Sequence, residues 1–157
     1  MKNKVLVLLA GAIGALVLGG GVVLAAGGFA GTVLAKGTIA KATEISANRI
    51  EFSSPKNAQV IVQRGEFAMG GNTGWHTHPG LTVVTVTAGT LRYHDGCSSR
   101  VYTVGQSFVE TPNRPGMVEN TSSEATAQVF ATLIVPAGMA PRTDVPAPNC
   151  TDPADDD

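Results

Sequence analysis

Charge is scarce in this chain. Asp, Glu, Lys and Arg make up 15% of its 157 residues and leave a formal net charge of -1. Such a balance has nothing with which to neutralise a phosphate backbone, so nucleic acid is excluded as a partner. Aromatic residues are sparser still, at 5%, with a single tryptophan, Trp75. Two cysteines without C-x-x-C spacing exclude a zinc finger or a thioredoxin-like dithiol. There is no G-x-S-x-G nucleophile elbow, no G-x-x-x-x-G-K-[ST] phosphate loop and no glycine-rich turn of the dinucleotide type. Beyond the N-terminal segment no stretch carries a 3.6-residue period, and no internal repeat is present. Helical bundles and solenoids are thereby excluded.

What is present begins with an apolar opening. Lys2 and Lys4 precede a run from Val5 to Ala35 without a charged residue, and the next charge is Lys36. A basic start, an apolar stretch and small residues at Val23-Leu24-Ala25 predict a secretory signal over residues 1–26, cleaved before Ala26. The run is also long enough to span a bilayer as an uncleaved anchor helix. Either way the remainder is exported, secreted or held at the cell envelope, and touches membrane only through this segment. Export sets the reading of Cys97 and Cys150, which in an oxidising compartment form one disulfide; two unpaired thiols are the alternative.

The exported part predicts one all-β domain over residues 30–140, with a Pro-rich and acidic tail over 141–157. Short β-rich runs recur at Thr32–Ala35, Thr38–Ala40, Ala58–Arg64, Thr82–Thr87, Thr90–His94, Val101–Val104, Gln106–Val109 and Thr126–Val135. Gly, Pro, Asn and Asp separate them, and Asp95-Gly96 is a hairpin turn signal. Many short strands so spaced predict a sandwich or small barrel. The sequon Asn120-Thr121-Ser122 is weak ground for glycosylation.

The chemistry concentrates between Gly70 and Gly89. His76 and His78 are two residues apart, and on extended backbone their imidazoles share a face. The stretch resembles the first signature of the cupin family of small β-barrels, with Gly70, His76, His78 and Gly89 at the family's spacing. Thr82 stands where that family has a metal-binding Glu. Gly105 and Asn120 keep the outer spacing of the second signature, but Pro112 comes one place late and Gly116 occupies the His position. The chain is similar, over roughly residues 30–150, to secreted bacterial single-domain cupins with GWHTHPG-like, TVLAKGTI-like and PAGMAPRTDVPAPNC-like segments. The resemblance implies a double-stranded jelly roll with the two histidines in the barrel mouth.

The candidate ligand pocket comprises Trp75, His76, His78, Thr82 and Glu110, with Trp75 either a pocket rim or a packing residue. His76 and His78 are the candidate ligands for one divalent transition metal: zinc, iron, manganese or nickel. Two ligands make a weak site, so neutral histidines hydrogen-bonded in a polar pocket rank above metal. Weak or no metal is expected, rising if Glu and His are put back at positions 82 and 116. Glu110, just before Pro112, is the carboxylate best placed to supply a third ligand if it faces inward. His94 alternates with Leu91 and Tyr93 and is expected to face outward with Arg92. Three functions remain: a small-molecule binding module, a metal-dependent dioxygenase, isomerase or decarboxylase of the cupin kind, and a non-catalytic envelope protein. A homo-oligomer is compatible with each.

Overall fold

The computed structural model describes residues 22–25 and 27–150. In chain order its strands are β1 (Val22–Ala25), β2 (Phe29–Ile39), β3 (Thr43–Ala47), β4 (Ile50–Ser54), β5 (Ala58–Phe67), β6 (His76–Thr77), β7 (Leu81–Ala88), β8 (Thr90–Asp95), β9 (Ser98–Thr103), β10 (Ser107–Glu110), β11 (Gly116–Glu119), β12 (Ala127–Val135) and β13 (Thr143–Asp144). They form an antiparallel six-stranded sheet in the order β1-β2-β5-β12-β7-β10 and a five-stranded sheet in the order β13-β6-β11-β8-β9. The two face each other as a jelly roll, while the β3–β4 hairpin pairs with neither. The all-β expectation holds, and among the described residues there is no helix.

Alternation decides which side chains meet between the sheets. In β7, Thr82, Val84 and Val86 are buried, and in β12 Ala127, Val129, Ala131, Leu133 and Val135 are. A period of two keeps each set on one face, where the sheets exclude water. The facing sheet contributes Leu91, Tyr93 and Val118, and the Tyr93 and Phe108 rings stack at 4.6 Å between the layers. Full burial of a side chain such as Leu91 stabilises by roughly 1.5–3 kcal/mol. The β2–β5 register slips between Val33 and Ala35, a bulge that leaves Leu34 exposed and bends the strand around the barrel.

The apolar helix expected through residue 26 is corrected over its last part. Val22–Ala25 are a strand whose backbone pairs with Thr32–Phe29. Gly27 and Gly28, at φ 92° and 82°, make the reversal, since side chains rarely take that left-handed region. Residues 1–21 and Ala26 lie outside the described residues, and with them the basic start and the cleavage point. The acidic end, residues 151–157, also lies outside. Residues 141–150, by contrast, return to the body: β13 pairs with β6, and Cys150 is bonded to Cys97 in the tight β8–β9 turn.

Candidate metal centre

The loop before β6 prepares the first imidazole. Asn72 Oδ1 accepts from the Gly74 amide at 2.9 Å, and Thr73 Oγ1 accepts from the Val118 amide at 3.0 Å, so both edges of the loop are held. The Gly74 carbonyl then lies 2.9 Å from His76 Nδ1. A carbonyl only accepts, so Nδ1 carries the proton and Nε2 presents a lone pair. The Pro141 carbonyl, brought in from the far end of the chain, accepts from His78 Nδ1 in the same way. Both Nε2 atoms therefore face inward, as acceptors when the rings are neutral and as donors when they are protonated.

They converge, 3.1 Å apart. Glu110 Oε2 completes a triangle, 3.3 Å from His76 Nε2 and 3.1 Å from His78 Nε2. All three residues are buried, with 3%, 7% and 6% of their surface exposed. Glu110 is inward because β10 alternates: Phe108 and Glu110 point to the core, Ser107 and Val109 outward. Three acceptors at this range repel unless a positive charge lies among them. Either an extra proton is shared by the group or a metal ion occupies it. Edges of 3.1–3.3 Å are also the ligand-to-ligand spacing that metal bonds of ~2.0–2.1 Å require, so the donor set fits a transition metal.

Electrostatics follow this geometry. Burial disfavours the His78 imidazolium, but the hydrogen bond and charge of Glu110 and the Pro141 carbonyl outweigh it and raise its pKa, against the opposing charge of Arg142. Burial likewise disfavours the Glu110 carboxylate. Hydrogen bonds from His76 and His78 and their charge reverse that and hold it at about 2.

The triangle opens onto a cavity of about 100 Å³. Phe29, Phe67, Val84, Val129 and Leu133 form its apolar walls, with Gln63, Thr73 and Arg142 among its polar lining. Thr82 also lines it, 2% exposed, and its Oγ1 finds no hydrogen-bond partner among the described residues. Of the sequence candidates, then, His76, His78, Thr82 and Glu110 come together. Trp75 does not: alternation turns it away from His76, and its ring packs edge-on against His94 at 5.8 Å, outside the cavity lining. His94 faces outward with Arg92, both bonded to Glu119 Oε1. Asn120 is buried, its amide nitrogen donating to the Ala68 and Ala125 carbonyls, so its carboxamide serves the loop and is closed to a glycan.

Gly116 pairs with both His76 and Asp95, and an added Cβ would lie 3.1 Å from Tyr93 Cε2. The position of the missing family histidine is thus packed under a ring. Pro141 and Arg142 were missed as site residues. Their Pro-rich surroundings read as tail, and only the PRTDVP segment within the family-like ending marked them.

Residues 63–135 match the cupin domain family. Among curated proteins no sequence matches this chain. An RmlC-like cupin from Shewanella frigidimarina is similar in structure, at TM-score 0.51 and 16% identity over 75% of this chain and 85% of that one. A cupin-like protein from Thermotoga maritima is similar at TM-score 0.50 and 20% identity over 56% and 65%. An oxalate oxidase solved with glycolate is 26% identical at TM-score 0.43 over 46% of this chain, which spans 40% of that protein. The likenesses to the first two bear on fold alone, and they agree with the two facing sheets.

Proposed function

Since this chain is a cupin-fold protein, we propose that it is exported and binds one divalent transition metal through His76, His78 and Glu110, offering it to a small molecule. The convergence of three buried acceptor atoms within 3.1–3.3 Å carries this reading. When bound, the metal supplies a Lewis-acidic centre with positions open to a ligand oxygen or nitrogen. Two histidines and one carboxylate are the donor set of non-haem iron(II) sites, and imidazole also suits zinc and nickel.

The chain's own residues do the rest. Gly74 and Pro141 fix both tautomers so that each Nε2 is available. The apolar walls keep bulk water from the triangle, which strengthens its charge interactions. The cavity of about 100 Å³ beside the triangle suits a small ligand. The unpartnered Thr82 hydroxyl is available to it. A metal-free binding module is the second reading, supported by the raised pKa of His78, which lets an imidazolium–carboxylate pair stand in the same place. The Cys97–Cys150 pair supports export to an oxidising compartment.

Metal content of the purified full chain, followed by zinc and cobalt titration of the metal-free protein, tests the proposal. One equivalent is expected, lost in His76→Ala and Glu110→Gln. A wild type that binds metal no better than these variants overturns it. Alkylation of the protein in cell fractions before unfolding should find no free thiol; two reactive thiols would remove the export reading.

A further inference from the structure

The two imidazoles of the centre are held by different parts of the chain. His76 Nδ1 bonds to Gly74, two residues away, inside a loop that is itself tied down. His78 Nδ1 bonds to Pro141, 63 residues away. The segment that brings Pro141 there makes further contacts of its own. Arg142 Nη2 donates to the Thr73 carbonyl at 2.6 Å and meets Asp144 Oδ1 at 2.7 Å. Thr143 and Asp144 pair with Thr77 and His76, and the Val145 amide donates to the Trp75 carbonyl at 3.1 Å. Pro146 and Pro148 follow, stiff residues without an amide donor. The segment ends at Cys150, bonded to Cys97 across 53 residues.

A strand of two residues at a sheet edge is weakly held by its ladder alone. The disulfide is the one covalent hold on this segment beyond its chain connection to β12, and it acts from the far end. We propose that Pro141–Cys150 is a disulfide-anchored strap that positions His78, fixing its tautomer and ring direction, while the His76 ring, though its backbone pairs with the strap, keeps its own anchor at Gly74. Orienting partners of this kind, acting on the remote nitrogen of a ligating imidazole, commonly change metal affinity about 10–100-fold. As regards metal, the inference rests on the function proposed above. As regards the imidazole itself, it does not.

The experiment uses the full chain with the disulfide intact and after reduction by a dithiol, each metal-free, with far-UV circular dichroism confirming that the sheets persist. Nitrogen chemical shifts of the two imidazoles are read together with hydrogen exchange at the Val145 amide. On reduction, His78 should move toward the averaged shifts of exchanging tautomers, His76 should keep its own, and Val145 should lose protection. Arg142→Ala with the disulfide intact should shift His78 in the same direction, more weakly. Zinc affinity should fall about tenfold on reduction. Unchanged His78 shifts and Val145 protection on reduction would overturn the strap, as would equal changes in both histidines. Because the shifts are read without metal, they decide the strap even if zinc fails to bind, which would overturn only the metal reading.

Discussion

Thr82 and Glu110 stand opposite each other in the β7–β10 ladder, Cα against Cα, with both side chains on the buried face. The carboxylate absent at position 82 is supplied by its cross-strand neighbour. Cross-strand partners on one face have Cβ atoms about 4.5–5.5 Å apart, a gap that the longer Glu side chain spans. The ligand has in effect moved sideways by one strand.

The exchange can be run backwards. Glu110→Thr should lower zinc affinity by at least about 100-fold, and adding Thr82→Glu should recover most of the loss. Calorimetric titration of the single and double variants measures this. A double variant as weak as the single one would mean that position 82 cannot reach the triangle.

Stability of the metal-free protein should have two pH limbs. Glu110 is held at about 2, below its ordinary 4.5, so its contribution is present above 4.5 and lost as pH falls toward 2. That depression is worth roughly 3 kcal/mol. His78 is raised above 6.5, so its contribution is complete below 6.5 and is lost as pH rises through the higher folded value. Urea midpoints in chelator across this range should fall at both ends, and Glu110→Gln should flatten both limbs. Zinc affinity should instead climb with pH, because protons and metal compete for the same nitrogens.

The pairing of Glu110 with its histidines was within reach of the sequence because alternation in Ser107–Glu110 turns Phe108 and Glu110 to one side. The same alternation placed His94 outward. For Trp75 the sequence leaves a pocket rim and simple packing both open, and the period of two, which sends neighbours to opposite faces, puts it against His94. β11 and β13 were illegible. Four and two residues long, they have too little pattern of their own, and partners distant in the chain induce them. The β3–β4 hairpin was missed as well, since its mixed polar strands make a sheet of two with little burial to pattern them.

Restoring the family histidine should fail. In Gly116→His even the Cβ presses on the Tyr93 ring at 3.1 Å, and the imidazole adds bulk beneath a stacked pair. Overpacking of this kind costs about 1–3 kcal/mol. Thermal unfolding should show that loss, and metal titration should show no gain, contrary to what the spacing of the two signatures implies.

Gly80 should tolerate no side chain. A Cβ there would run into the Ile134 carbonyl, a backbone atom of β12 that cannot rotate away. Gly80→Ala should displace the start of β7, lower the unfolding midpoint and weaken metal binding together, because His78 lies two residues before it. Equal stability of the variant and the wild type would show that this crossing is looser than it looks.

The order in which the chain is made bears on the centre. His76 emerges from the ribosome beside its Gly74 anchor, but every other member of the arrangement comes later: Glu110, then Gly116 of β11, and last Pro141. A nascent chain therefore carries His76 with its local anchor while His78 waits for a carbonyl made 63 residues later. A chain truncated before Pro141 would carry both histidines without the carbonyl that fixes His78.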